Sequence, residues 1–388
     1  MSLSSLPLSY CTNVHPGQSV GEVEGGIERY TLAIRERLGQ PMAAGLWLAR
    51  PVTEELLASR DGVKRFAEKL AHQELSCYTL NAFPYGNFHS ARVKEQVYLP
   101  DWSQPERQEY TEQCALILAE LLPEGGEGSI STVPLGFKNA ERSADFLETA
   151  IRRLVDVAVQ LDRLRQERGR IIRLAIEPEP CCVLETTAEA LAFFETLGKA
   201  AESQGLAEVV RTHLGLCFDV CHQAVEFEDV SRSIQEIDRA GVRINKLHIS
   251  CALRLENPGE NREGRNALSH YVEPRYLHQT FAKRQDGRIV HVTDLTQGHV
   301  TDPGTDFLEA QEWRVHFHVP VNVERMGPLG TTRLGLREAI AAVADLDYPP
   351  HLEVETYTWG VLPGNEPPDL VRGLSEELAA TYALLSRP

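Results

Sequence analysis

The chain has 388 residues, is 42% hydrophobic and carries a net charge of −17. It holds enough apolar material for a sizeable core, and the acidic balance makes nucleic acid or an anionic membrane a poor expected partner. No run of 18 or more apolar residues occurs, so no membrane span is expected; Met1–Ser5 has neither a basic nor an apolar region, so no signal peptide is expected and the protein reads as cytoplasmic.

Strand-like and helix-like runs alternate along the chain. The strand-like runs are Leu8–Asn13, Ala43–Leu48, Ser76–Ala82, Ser129–Leu135, Ile171–Glu177, Leu214–Val220, Ile244–Ser250 and His351–Thr356. Most are short and apolar, as expected of strands buried on both faces of a parallel sheet. Between them, Thr53–His72 and Ser143–Gly169 carry a 3.6-residue apolar period, and Thr186 with Glu189 reads as a capping box. Eight such units predict a single closed (β/α)8 TIM barrel over residues 1–388. A doubly wound sheet shares the alternation, but no G-x-G-x-x-G follows the first strand. The stretch between Ser250 and His351 is too long for one loop and one helix. It predicts an insertion after the seventh strand, at 256–312, forming a lid or a peripheral hairpin, with short strands at Arg288–Leu295 and Trp313–Val323. The eight cysteines are scattered without a C-x-x-C pair and read as small buried hydrophobes.

Chemistry in such a barrel sits at the C-terminal ends of the strands. In the fifth strand Ile172, Leu174 and Ile176 share one face, while Ala175, Glu177 and Glu179 share the other and point inward. A carboxylate buried there needs a metal or another cation. The sixth strand ends on Asp219, with His222 three residues on, so an oxygen and a nitrogen donor meet one rim; a helix cap is the alternative role for Asp219. The seventh strand carries Lys246 and His248 on one face. The eighth turns Glu353 and Glu355 inward. Four consecutive strands thus bring Glu, Asp, His and Glu to one rim, which points to one divalent metal. Mn²⁺ or Zn²⁺ suits that donor set best, with Mg²⁺ and Co²⁺ as alternatives.

Leu174–Glu177, Gly215–Asp219 with His222, Lys246–His248 and Leu352–Glu355, taken in that order, resemble the xylose-isomerase-like superfamily of sugar isomerases and epimerases. The resemblance implies one divalent metal on Glu177, Asp219, His248 and Glu355; matching the family's phrases selects Glu177 over Glu179 and Glu355 over Glu353. A second resemblance spans nearly the whole chain. Asn81–His89, Val97–Trp102, Tyr276–Gln279 and Glu355–Trp359 are similar to the EboE family, described as a metabolite traffic protein.

Several other residues are candidates. His316 and His318, as His-x-His on a short strand, resemble the second-metal Asp-x-His of the endonuclease-IV branch, and with His222, His15 and His89 they are candidates for a further metal or for substrate. Arg254 resembles a substrate-binding Arg of the ketose epimerases; a loop Arg facing solvent is the alternative. Phe83, Tyr85, Phe88, Trp102 and Trp359 are candidate pocket aromatics or barrel-end packing. The implied reaction is isomerisation or epimerisation of a sugar-like or hydroxy-carbonyl small molecule through an enediolate. Glu177 and Glu355 would exchange the proton, Glu179 and Glu353 would contact substrate or replace them as bases, His222 would orient a hydroxyl and Lys246 would stabilise an oxyanion. Two other readings stand beside it: a metal-assisted hydrolase of the endonuclease-IV type on a small phosphoester, and a binding protein of the EboE type without isomerase activity.

Overall fold

Eight short, largely buried strands carry the architecture: β1 (Ser9–Cys11), β2 (Ala43–Trp47), β3 (Thr79–Asn81), β4 (Glu127–Thr132), β5 (Ile171–Ile176), β6 (Leu214–Asp219), β7 (Ile244–Ile249) and, much later in the chain, β14 (His351–Val354). In the computed structural model, which describes residues 6–364 and 367–386, they pair side by side in the order β1-β14-β7-β6-β5-β4-β3-β2 and close on themselves. Closure occurs where Ser9 pairs with Glu353 and Tyr10 with Val354, in parallel register. The protein is a (β/α)8 TIM barrel. Residues Met1–Ser5, where the absence of a signal peptide was expected, lie outside the described residues. No described helix is long and apolar enough to cross a membrane.

The helices follow local sequence signals. Phe146–Arg168 is one helix, ended by Gly169 at φ 66, the left-handed conformation that glycine adopts without a Cβ penalty. Thr186 and Glu189 form the expected capping box. The stretch Thr53–His72 divides instead into helices Arg50–Ala58 and Gly62–His72. The break is a tight turn at Gly62, where a Cβ would stand 2.2 Å from the Leu56 carbonyl oxygen, an approach that only glycine permits.

After β7 the chain builds a second sheet before it returns to the barrel. Its strands are β8 (Leu253–Glu256), β9 (Thr280–Arg284), β10 (Ile289–Val292), β11 (Ala310–Val315), β12 (Arg325–Met326) and β13 (Leu329–Thr331). They pair in the order β10-β9-β11-β8-β13-β12. This sheet is more than a hairpin, and it reaches beyond 256–312 at both ends. The strand expected at Arg288–Leu295 is β10. The strand expected at Trp313–Val323 begins earlier, at Ala310, and stops at Val315. There the Phe317 amide turns back onto the Val315 carbonyl (2.7 Å) and the Val319 amide bonds the Cys251 carbonyl just past β7 (2.9 Å). His316 and His318 therefore sit on the connector between β11 and β12, bonded to the end of β7, and not on a strand.

Candidate metal centre

A fully buried ion pair forms the layer beneath the site. Lys246 Nζ lies 2.6 Å from Glu353 Oε2, and both side chains are inaccessible to solvent. Gly45 of β2 makes room, since a Cβ there would stand 1.7 Å from Glu353 Oε1. Glu353 Oε2 also meets His248 Nε2 at 3.2 Å. A carboxylate can only accept here, so Nε2 carries a hydrogen, while Nδ1 faces the carboxylates on the other side. Lys246 and Glu353 thus belong to the packing under the site. Neither lines the cavity above it, and this corrects the oxyanion and substrate-contact roles expected of them.

Above this layer, donor atoms of Glu177, Asp219, His248 and Glu355 all lie within 4.8 Å of one another, and all four residues are buried. His248 Nδ1 is 3.1 Å from Glu177 Oε1, 3.1 Å from Glu355 Oε2 and 3.5 Å from Asp219 Oδ2. Asp219 is a helix cap as well as a member of this group. Oδ1 caps the helix Val220–Val225 through the His222 amide (3.0 Å) and accepts from Ser250 Oγ (2.7 Å). Oδ2 has no hydrogen-bond partner, nor does Glu177 Oε2. Glu355 Oε1 accepts from Asn13 Nδ2 (3.0 Å) and Asn81 Nδ2 (2.9 Å). Burial opposes the charge on Glu355, but His248 outweighs it and brings the carboxyl down to about 2. Burial likewise opposes charge on His248, yet its ionisable neighbours, led by Cys217, Glu355 and Glu177, raise it well above the ordinary imidazole value. Three carboxylates converging in a dry interior require a cation. Two unpartnered oxygens, an imidazole held by Glu353 at Nε2 with Nδ1 facing three carboxylates, and mixed oxygen and nitrogen donors fit a divalent metal.

Three further histidines stand beside this group. His222 Nδ1 bonds the Pro178 carbonyl (3.0 Å), and His318 Nδ1 the Glu355 carbonyl (2.8 Å). His316 Nδ1 bonds Gln279 Oε1 (2.7 Å). The orientation of that amide follows from its other end, because Gln279 Nε2 donates to the Pro180 carbonyl, which can only accept. All three rings therefore carry hydrogen on Nδ1, and on His316 and His318 the Nε2 atom is buried without a partner. Ring centroids are 4.6 Å apart for His222–His316 and 5.3 Å for His316–His318. His222 and His318 group with Asp219, and His222 and His316 with Glu179.

A cleft, partly open to solvent, lies over this floor. Glu177, Glu179, Glu355, His222, His316 and Phe83 are among the residues that line it. The structure places other candidates elsewhere. His15 bonds Tyr10 Oη (2.9 Å) and stacks on Tyr30, and His89 bonds the Asn13 carbonyl (2.8 Å); neither joins a metal-type group among the described residues. Arg254 sits on β8 between Glu256 and Glu312, away from the cavity. Tyr85 packs against Tyr110 and Arg107, Trp359 lies over Gly373 with Nε1 donating to Glu377 (2.9 Å), and Trp102 Nε1 bonds Thr132 Oγ1 (3.2 Å); all three are packing residues. Sequence reasoning missed Asn13, Asn81, Tyr98, Lys94 and Gln279. The first two sit at the C-terminal ends of β1 and β3, where the barrel rule would have found them. Tyr98 and Gln279 fall in the phrases that carry the EboE resemblance, which assigned them no role, and nothing local distinguishes Lys94.

No protein-family model matches the sequence, and no curated protein does either. The EboE resemblance thus rests on sequence phrases. Solved structures are similar over the whole chain. One is a xylose isomerase-like TIM barrel protein from Mycobacterium smegmatis in complex with magnesium, at 11% identity and TM-score 0.54, with 100% of each chain covered. The fold is that of a xylose isomerase-like TIM barrel. A second xylose isomerase-like barrel, D-psicose 3-epimerase in the presence of D-fructose, matches at 12% identity and TM-score 0.51 over 98% of this chain and 100% of the other. At these identities the likeness defines the architecture, and the xylose isomerase-like barrel described here must be read for chemistry from its own side chains.

Proposed function

We propose that the protein is a divalent-metal-dependent isomerase or epimerase acting on a small hydroxy-carbonyl metabolite. The observation that carries this reading is the convergence of Glu177, Asp219, His248 and Glu355 within 4.8 Å, with two carboxylate oxygens left without partners. Those four residues would hold the metal. A divalent ion there supplies Lewis-acid polarisation of a carbonyl or adjacent hydroxyl oxygen. The magnesium in one structurally similar protein and the epimerase activity named for another support the same reading.

The chain's own residues divide the remaining work. Glu355 is a poor base, because two asparagine amides and His248 hold its ionised form. Glu179 is better placed. It lines the cavity two residues beyond Glu177, and among the described residues its hydrogen bonds fall on Oε1, from Tyr98 Oη (2.7 Å) and Gln279 Nε2 (3.3 Å). Oε2 is left to take a proton from the carbon beside the carbonyl and to return it. His222, with Nδ1 tied down, offers Nε2 to a substrate hydroxyl. Metal analysis of purified protein after loading tests the reading. The expected result is at least one divalent ion per chain, lost in Glu177→Ala and Asp219→Ala; a metal-free wild type, or unchanged metal content in both variants, contradicts it.

The unpartnered Nε2 atoms of His316 and His318, grouped through His222 with Asp219 and Glu179, favour a second reading, in which those rings hold another cation and the site performs metal-assisted hydrolysis of a small phosphoester. Two ions per chain, the second lost in His318→Ala alone, would support that reading over the first.

A further inference from the structure

The wall of the cavity differs sharply from its floor. Excluding the tyrosine hydroxyls and Lys94, every polar lining group belongs to one connected cluster: Asn13 and Asn81 bond Glu355, Glu355 groups with Glu177, and Glu179 groups with His222 and His316. The rest of the lining is apolar or aromatic. Phe88 packs against Tyr276 (4.8 Å between ring centroids) and Tyr357 (5.4 Å), and Phe83 packs against Tyr98 (6.0 Å). Val93, Val97 and Leu277 complete this wall.

Lys94 is the single Lys or Arg among the lining residues, and its ammonium is fully engaged. It donates to the Tyr276 carbonyl (2.6 Å), the Asp294 carboxylate (2.7 Å) and the Glu273 carbonyl (3.1 Å), and the residue is 5% exposed. An ammonium has three hydrogens to donate, so none remains for a ligand. A phosphate carried on the body of a substrate would meet rings and aliphatic side chains, with no free lysine or arginine to bind it. A polyol chain would find only the Tyr98, Tyr276 and Tyr357 hydroxyls on the same wall and would leave its other hydroxyls unpaired there, at a desolvation cost.

We infer that the substrate is amphipathic: a vicinal hydroxy-carbonyl head facing the Glu177, Glu179 and Glu355 floor, joined to an uncharged apolar body carrying a ring that lies against Phe83, Phe88 and Tyr276. This rests on the reading above for which atoms form the head; the assignment of the body rests on the wall alone.

Calorimetric binding to the Mn²⁺-loaded full chain tests it with three probes: 2-hydroxy-1-phenylethanone, D-fructose and D-fructose 6-phosphate. The aryl hydroxy-ketone is expected to bind at least ten-fold tighter than either sugar. Phe88→Ala should weaken the aryl probe about ten-fold; because Phe88 is buried, the half-buried Val97→Lys provides a second variant with the same expected loss and unchanged metal content. Equal or tighter binding of either sugar, no measurable binding of the aryl probe, or indifference of that probe to Val97→Lys overturns the inference. Repeating the titration on EDTA-treated protein separates the two claims. Aryl binding that persists without metal and remains sensitive to Val97→Lys upholds the apolar body even where metal analysis has contradicted the metal-dependent reading.

Discussion

Glu353 on β14 and Glu355 just beyond its end lie two residues apart and have different fates. Strand alternation turned both inward and could not separate them. The distinction is one of depth: Glu353 sits in the layer closed by Lys246 and opened by Gly45, and Glu355 in the layer above, where Asn13 and Asn81 hold it. Asp219 and His248 were readable because each is the single donor candidate at its strand position. Lys246 was misread because alternation gives the face of a residue and not its depth. Removing one partner of a buried pair leaves the other charge uncompensated, so Glu353→Ala should destabilise the protein by about 3–5 kcal/mol in denaturant unfolding, whereas a loss under 1 kcal/mol would mean that Lys246 has another partner. Glu377 offers a pH test. It is fully buried, accepts from the Val321 amide, Thr356 Oγ1 and Trp359 Nε1, and burial nevertheless raises its carboxyl from 4.5 to about 7. An acid raised in the folded state binds its proton more tightly there, so its contribution to stability is fully present below about pH 4.5 and is lost as pH rises through about 7. The span is on the order of 3 kcal/mol. Glu377→Gln lacks this titration, so its melting temperature relative to wild type should rise between those two pH values; a difference that stays flat across pH contradicts the assignment.

At the scale of elements, the barrel strands were legible because strands buried on both faces read as short apolar runs between amphipathic helices. Their ends were not. The fourth strand ends at Thr132 and not Leu135, and the strand carrying His316 was expected to continue past the point where the chain leaves the sheet. Edge hydrogen bonding decides these limits, and composition does not encode it. Close packing makes two further predictions. Gly45→Ala pushes a methyl onto Glu353 Oε1 and to 2.7 Å from the Tyr10 carbonyl, so a loss of about 1–3 kcal/mol is expected in thermal or denaturant unfolding; a neutral variant would mean that β2 can shift. Lys94 ties the loop after β3 to the second sheet through Glu273, Tyr276 and Asp294. Lys94→Met should therefore speed limited proteolysis within 272–295 while leaving cleavage elsewhere unchanged; an unaltered digestion pattern would show that the tether is dispensable.

For the whole molecule, eight βα units identified the closed barrel, and four donors on consecutive strands identified the rim that carries the site. The second sheet was foreseen as an insertion, and His316 and His318 as site candidates, but the part of Gln279 in holding His316 was not, since contacts across long sequence separation leave no local periodicity. A metal that binds only the folded chain stabilises it by mass action, by about 2.7 kcal/mol at a hundred times its dissociation constant; Mn²⁺ should raise the melting temperature reversibly, EDTA should lower it, and Asp219→Ala should abolish the response. The most direct measurement is anomalous diffraction at the manganese edge from crystals of the Mn²⁺-loaded protein. The account predicts an anomalous peak enclosed by Glu177, Asp219, His248 and Glu355. A peak elsewhere, or none at that position with Mn²⁺ present in the solution, would contradict it.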